Sequence, residues 1–307
     1  LSASTAGERS VPRGIALVDK PGGMTSHDVV ARARRALDIR KIGHAGTLDP
    51  MATGLLVLGV GSATRLLTFI VGLDKTYEAT IRLGVSTDSD DADGAETARA
   101  SAEVVAAVSD DAIAAGVATL TGRISQVPSR VSAIKIGGKR AYDLARSGQD
   151  VELAAREVTV SRFAVSRVRR DADAGTIDLD VSVDCSSGTY IRALARDLGA
   201  HAGIGGHLTA LRRTRIGPFA VADAATDVTA DLPLLDEADV ARRVLGALEV
   251  SSDEARDLRH GKRLLGAADR IPGPISAAID PSGRLVGILE RRGSDLKSLM
   301  NMPEEAG

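Results

Sequence analysis

The sequence predicts an α+β fold: a mixed, mainly antiparallel sheet flanked by helices, followed by a small β-rich module. Three observations lead there. Apolar and polar residues alternate over 76–84 (TYEATIRLG) and over Thr176–Cys185, the period of a half-buried strand. Helical segments fall between such runs, but with no regular strand–helix–strand rhythm, which argues against a parallel doubly wound sheet. After Phe219 the chain turns acidic and Ala-rich, and short alternating runs return beyond residue 250.

In chain order, residues 1–13 are small and polar and are expected to be disordered. A short apolar strand, GIALVDK at 14–20, is broken by Pro21-Gly22-Gly23. Thr25 or Ser26 can N-cap a helix reaching about Leu37, with Val29, Val30, Ala33 and Ala36 on one face. Residues 39–50 lack a clean period and hold Gly43, Gly46 and Pro50, so they read as an ordered loop. The apolar run 51–60 is a buried helix or strand, and 62–69 continues as helix. Residues 76–84 form a strand, 86–96 a mobile acidic loop, and 101–120 an Ala- and Val-rich helix or helix pair. A strand at 131–136 turns at Gly137-Gly138, ahead of a short helix at 141–147. Runs 158–169 and 176–185 pair antiparallel around a turn at 171–175. A helix at 189–198 stops at Gly199, and 207–216 is helix or strand up to Gly217-Pro218. Residues 220–240 form a linker with helical pieces. Beyond it come a helix at 252–259 and the runs ISAAID and RLVGILE, separated by Pro281-Ser282-Gly283; the tail after Arg292 is expected to be loose. The organisation is thus a tail at 1–13, a main domain at 14–235, a small module at 236–292 and a tail at 293–307.

Composition bounds the function. The 307 residues are 44% hydrophobic and 26% charged, the balance of an ordinary globular protein. With no Trp, three Tyr and three Phe, the core must be built from Ala, Val, Leu and Ile, and a Tyr inside a motif stands out. A single Cys185 excludes an internal disulfide framework and a Cys-rich zinc site; it reads as a small buried strand end. No apolar run is long enough to span a membrane, the N-terminal stretch has no secretory core, and a cytoplasmic setting is the expectation. The net charge of −2 hides polarisation. Arg123, Arg130, Lys135, Lys139, Arg140 and Arg146 cluster against Asp143 alone, and Arg192, Arg196, Arg212, Arg213 and Arg215 against Asp197, whereas Asp88, Asp90, Asp91, Asp93 and Glu96 share one loop. Such a chain can present a positive face to nucleic acid; the same pattern also fits solvated arginines on helix faces.

Four stretches could carry chemistry. GHAGTLDPMATG at 43–54 sets a carboxylate, Asp49, and a histidine, His44, among apolar flanks and glycines. A buried Asp needs charged or hydrogen-bonded partners, and the Asp49-Pro50 step presents it from a stiff loop. Spacing alone favours Asp49 as the cap of a following helix, and His44 as a hydrogen-bonded loop residue. KTYE at 75–78 opens a strand, where Tyr77 would ordinarily pack. In SGTYIRALAR at 187–196, Gly188 allows a tight entry and Thr189 can cap, while Arg192 read alone is a surface helix arginine. KPGGMTS at 20–26 lacks the GxxxxGK[ST] spacing, which excludes an ATP or GTP phosphate loop.

Taken together and in order, DKPGGMTSHDVV (19–30), KIGHAGTLDPMATGLLVLGVGSATRL (41–66), DKTYEATIRLGVSTDSDDADG (74–94) and SSGTYIRALARDLG (186–199) resemble the pseudouridine synthases, specifically the TruB family of bacterial tRNA pseudouridine-55 synthases. SAIKIGGKRAYDLARSGQDVE (132–152) resembles that family's basic hairpin and GGHLTALRRTRIGPF (205–219) its closing segment. The resemblance covers about residues 14–220. It implies the pseudouridine synthase fold and a cofactor-free isomerisation of a flipped-out uridine in the T stem-loop of tRNA. Asp49 would be the catalytic carboxylate, Arg192 its ion-pair partner and Tyr77 the active-site tyrosine. Tyr190 and Leu211 would line the nucleotide pocket, and His44 would fill the space the base vacates. Lys20, Arg130, Lys135, Lys139 and Arg140 would hold RNA phosphates. Residues 236–292 resemble a PUA-type RNA-binding domain by position and β-rich pattern. One departure is QVPSRVSAIK, where the family often has paired prolines and this chain has Pro128 alone. Three rival readings share these motifs: an RNA-binding protein on an inactive synthase fold, a guide-RNA-dependent synthase subunit, and a synthase acting on ribosomal RNA. Retention of Asp49, Tyr77 and Arg192 together argues against the first, and the lack of charge-rich tails against the second, so a monomer working without a protein partner is expected.

Overall fold

The computed structural model describes residues 12–129, 135–136, 139–140 and 154–303. The chain enters through β1 (Gly14–Lys20). Thr25 then caps α1 (Ser26–Leu37): its hydroxyl accepts the Asp28 amide while the Asp28 carboxylate accepts the Thr25 amide. Val29, Val30 and Ala33 fall on the buried face that their spacing predicts. β2 (Ile42–Ala45), β3 (Thr53–Val60), a 3₁₀ turn over Gly61–Leu66 and α2 (Leu67–Val71) lead to β4 (Lys75–Leu83). Next come β5 (Val85–Thr87), β6 (Glu96–Arg99), α3 (Ala102–Ala106), α4 (Asp110–Thr119) and β7 (Gly122–Gln126). β8 (Lys135–Ile136) pairs with β9 (Lys139–Arg140). β10 (Arg156–Asp171) and β11 (Thr176–Cys185) form the predicted long antiparallel ribbon, followed by α5 (Ile191–His201), β12 (Gly206–Ile216) and β13 (Phe219–Ala220). The last part is α6 (Glu237–Leu245), β14 (Ala247–Glu249), α7 (Ser252–Arg259), β15 (Ile275–Ile279), β16 (Leu285–Arg292) and β17 (Asp295–Asn301).

The main sheet runs β1-β3-β12-β4-β11-β10-β7, and along this path β3 and β12 are the parallel neighbours. β3 is the branch point. One of its edges pairs with β1 along its length; the other pairs with β12 at Thr53 and Gly54 and with β2 from Val57 to Val60. Its sequence TGLLVLGV shows no alternation because both faces are covered. Leu55 and Val57 share a core with β1, α6 and β15, while Leu56, Leu58 and Val60 share another with α1. That is why periodicity left 51–60 open between helix and strand. β4, β11 and β12 bury a third core against α5 and α4.

Several expectations need correcting. Within 39–50, Ile42–Ala45 is a strand, supplied with partners by β3 rather than by its own pattern. The acidic stretch 86–96 is an ordered excursion: β5 pairs with β6, and Asp90 and Asp91 are buried. Residues 62–69 divide into a 3₁₀ turn and the start of α2, and 207–216 is strand. Segment 220–240 is laid along β1, with the Ala225 amide donating to Leu17 O (2.9 Å) and the Leu235 amide to Ile15 O (2.8 Å). The tail after Arg292 forms β17 on the edge of the small sheet β14-β15-β16-β17. The turn at 137–138 and the helix at 141–147 lie outside the described residues. Cys185 ends β11 buried, as expected, and burial pushes its thiol up to about 11. Among the described residues no helix is long and apolar enough to cross a membrane.

The branch point depends on Gly54. Its φ is +100°, and a Cβ there would meet Arg213 O at 2.2 Å. Gly54→Ala is expected to cost about 3 kcal/mol of unfolding free energy, from strain and overpacking together. Gly23→Ala, at φ +80° with open space around it, should cost about 1 kcal/mol. Denaturant unfolding of both variants checks this; equal losses would mean the crossing tolerates a side chain.

Candidate active site

The sheet branch leaves a cavity of about 280 Å³ between the 46–49 loop, the start of β4, the turn into α5 and strand β12. The loop that carries Asp49 is braced by the KPGGMTS stretch. The Leu48 amide donates to Ser26 Oγ (2.9 Å), and that hydroxyl donates to Leu48 O (3.2 Å). The Gly23 amide donates to Pro50 O (2.8 Å). Lys20 is fully buried, and its ammonium is spent on the carbonyls of Pro21, Met24 and Pro50 at 2.9, 2.6 and 3.3 Å. Burial lowers its pKa to about 8, with Asp49 pulling the other way. Lys20 is therefore a brace for the loop, and the expectation that it holds an RNA phosphate is corrected: water, and hence a phosphate, does not reach it. The helix-cap reading of Asp49 also falls, because the Ala52 amide closes a turn onto Asp49 O and the chain continues into β3.

Asp49 meets Arg192 at the start of α5, with Arg192 Nε to Asp49 Oδ2 at 3.1 Å. The guanidinium is buried, and its Nη1 also donates to Asp91 Oδ2 and to Ser89 O, both at 3.0 Å. One cation thus holds two carboxylates of different exposure. The Asp91 side chain is 6% accessible; that of Asp49 is 37% accessible, at the floor of the open cavity. Burial raises the Asp49 pKa above its ordinary value; Arg192 lowers it and Asp91 raises it again, with weaker effects of Lys20 (lowering) and Asp93 (raising). Because water enters the cavity, the burial effect is weaker than full enclosure would give.

The other predicted residues distribute unevenly. Tyr77 is buried on β4, lines the cavity, and has its phenol pKa raised, chiefly by burial. Leu211 on β12 and Tyr190 at the N-cap of α5 also line it. His44 stands on β2 outside that lining, edge-on to His27 with ring centroids 5.3 Å apart. Burial lowers its pKa, helped by His27 and Arg213, so the ring is held neutral. Lys135, Lys139 and Arg140 lie on β8 and β9; Arg130 is outside the described residues.

Three side chains here were not singled out from the sequence. Asp91 was hidden in a run of acids, whose excess of buried-capable carboxylates beside one motif arginine was the only signal. Arg213 is 1% exposed and donates to Leu55 O (2.8 Å) and Gly46 O (2.9 Å), tying β12 to β3 and to the Asp49 loop. It stands opposite Tyr77 across the strand pair, where its charge works against the burial that raises the Tyr77 pKa. Its place two residues after inward-facing Leu211 was the available clue. Lys75 lines the cavity with its ammonium on Val71 O (2.9 Å) and Leu73 O (2.5 Å), and burial lowers its pKa to about 8.

The shared guanidinium sets opposite outcomes for its two carboxylates. Asp91→Asn should destabilise the fold by about 3 kcal/mol, the cost of breaking an enclosed pair. Asp49→Asn should raise stability at neutral pH. A carboxyl whose folded pKa lies above its unfolded one costs stability when ionised, so this gain is expected to vanish as pH falls through the Asp49 pKa. Unfolding curves at several pH values check both; a loss of stability for Asp49→Asn at neutral pH would contradict the assignment.

Known family domains match in order from residue 34 to residue 303. The TruB family pseudouridylate synthase N-terminal domain matches residues 34–191. The tRNA pseudouridylate synthase B C-terminal domain matches residues 192–249, and the tRNA pseudouridine synthase II C-terminal domain residues 245–303. A tRNA pseudouridine synthase B of Leifsonia xyli subsp. xyli is 55% identical over 295 residues, covering 95% of this chain and 97% of the relative. One from an Arthrobacter species is 53% identical over 295 residues, covering 94% and 95%. Among solved structures, an H/ACA RNP bound to a substrate RNA containing 2'-deoxyuridine superposes with a TM-score of 0.68 at 21% identity, covering 95% of this chain and 86% of that one, a likeness of fold. With family domains matched in order from residue 34 to 303 and relatives more than half identical along nearly all of it, the chain belongs to the TruB family of pseudouridine synthases, RNA-modifying isomerases.

Proposed function

We propose that this chain isomerises uridine 55 in the T loop of tRNA to pseudouridine, with Asp49 as the reacting carboxylate and no cofactor. Pseudouridine synthesis in tRNA is the activity named for its relatives; the uridine position and the residue roles are the proposal. The observation that carries it is the Asp49 carboxylate, gripped by Arg192 at the floor of a cavity on the scale of one flipped nucleoside.

In the reaction the C1′–N1 bond breaks, the uracil turns, and a C1′–C5 bond forms. The C5 proton leaves and N1 ends protonated, so no electrons are gained or lost. Asp49 either attacks the ring or the ribose as a nucleophile or removes a proton to open an elimination. Both routes need it ionised, and Arg192 and its neighbours set the pH at which it is. The Tyr77 phenol, kept protonated by burial, offers a ring face to the base; it could take the C5 proton only after first giving up its own. Tyr190 and Leu211 complete the walls.

A uridine in a folded loop must leave its stack, at a cost of about a few kcal/mol. His44, neutral and half-buried, suits a role of occupying the gap by stacking. Arg130, Lys135, Lys139 and Arg140 would grip phosphates and make affinity salt-dependent, reading the stem-loop by shape. The module of β14–β17 is proposed to be PUA-like and to touch the acceptor arm. The chain is proposed to act as a monomer, without guide RNA or protein partner.

Asp49→Ala is expected to abolish tritium release from C5-labelled uridine in a T stem-loop while leaving RNA binding intact; surviving turnover would overturn the role of Asp49. For the wild type, the rate should fall as pH drops through a value above the ordinary Asp range, because the ionised form is lost there. His44→Ala should slow turnover more on a folded loop than on an RNA whose uridine is already unpaired. Equal losses on both substrates would remove the stacking role. Wild-type enzyme that needs an added guide RNA would defeat the standalone reading.

A further inference from the structure

Tyr190 starts α5 without a capping side chain of its own, although the first amides of a helix need acceptors from elsewhere. The acceptor comes from a strand at the far margin of the sheet. Gln126, the last residue of β7 and 2% exposed, receives the Tyr190 amide on its Oε1 at 2.8 Å and donates its Nε2 to Tyr190 O at 3.1 Å. A side-chain amide paired this way with the N–H and C=O of one residue grips two successive peptide units and so fixes that residue's position and orientation. The next residue repeats the grip nearly two turns along: Val127 O accepts Arg196 Nη2 at 2.8 Å, while Arg196 Nη1 holds Asp90 at 3.2 Å. Asp90 adjoins Asp91, the second partner of Arg192. Gln126 itself does not line the cavity. Everything it holds does, or stands one contact away: Tyr190 is a cavity wall, and two residues on is Arg192.

We propose that Gln126 is a positioning residue for pseudouridine formation, setting the start of α5 so that Tyr190 walls the cavity and Arg192 meets Asp49. The inference rests on Asp49 as the reacting carboxylate but not on which uridine of the tRNA is modified. Its buried amide has no role in contacting RNA, so its loss acts on the chemical step.

The test uses Gln126→Met, which keeps volume and removes both hydrogen bonds, beside Gln126→Ala. Single-turnover pseudouridine formation in a tRNA transcript, counted at any position, is followed across pH with saturating full-length protein. Gln126→Met is expected to slow turnover about 10- to 100-fold, the scale of an ångström-level misplacement, with tRNA affinity unchanged. Its acid limb should move to higher pH, because a looser Arg192 lowers the Asp49 pKa less. A purely structural loss would scale the rate equally at all pH values. Wild-type turnover in Gln126→Met, a loss confined to tRNA affinity, or an unmoved acid limb would each overturn the proposal. Should the variants fail to fold, amide exchange in the wild type decides: the Tyr190 amide is expected to be protected, and rapid exchange there overturns the clamp. Failure of the Asp49 reading is separate, since it shows as turnover in Asp49→Ala whatever Gln126 does.

Discussion

The site depends on one buried guanidinium that two carboxylates share. An arginine enclosed as Arg192 is would be costly without a partner of opposite charge in the same low-dielectric surroundings. Asp91, almost as enclosed, meets that need. Asp49 can then remain the more accessible partner, open to the cavity and only partly neutralised. Its pKa is raised as a result, since burial and the Asp91 charge together outweigh the arginine. A carboxylate paired alone with Arg192 would be held more firmly ionised and less basic. For the role proposed for Asp49, sharing the cation separates the task of keeping it in place from the task of reacting.

That arrangement requires four distant segments to converge, and the branched sheet brings them together. β3 diverges between β2 and β12 at Gly54, and Arg213 crosses the gap to Leu55 and Gly46. The Asp49 loop lies across this opening, fastened by Ser26, Gly23 and Lys20. The helix carrying Arg192 covers it from the other side. Buried polar groups, Lys20, Ser26, Arg192 and Arg213 among them, do much of the joining, so small errors in placement leave donors unsatisfied rather than merely loosening packing.

Local signals were readable where the physics is local. The capping box at Thr25 and Asp28, the apolar face of α1 and the alternation in β4 and β11 each follow from near neighbours in the chain. β2, the acidic excursion at 86–96 and β17 were not readable that way. Ile42–Ala45 becomes a strand because β3 offers an edge. The acidic loop is ordered because Arg192 and Arg196 hold its inner carboxylates. Lys20 was expected at an RNA phosphate through the family resemblance; three carbonyls account for its ammonium instead.

By itself the sequence determined the class of fold, the order of its main elements and, through long motifs in fixed order, the family; it also marked Asp49, Tyr77 and Arg192 as the residues on which the proposed chemistry rests. Those properties reside in residue types and their spacing along the chain. Only the tertiary structure decided that Asp91 shares the arginine, that Arg213 and Gln126 hold the walls, that Lys20 is a brace, and that Asp49 lies in an accessible cavity with a raised pKa. These properties arise from residues up to 100 positions and more apart meeting where water is partly excluded, and no pattern along the chain encodes the dielectric or the distance between them.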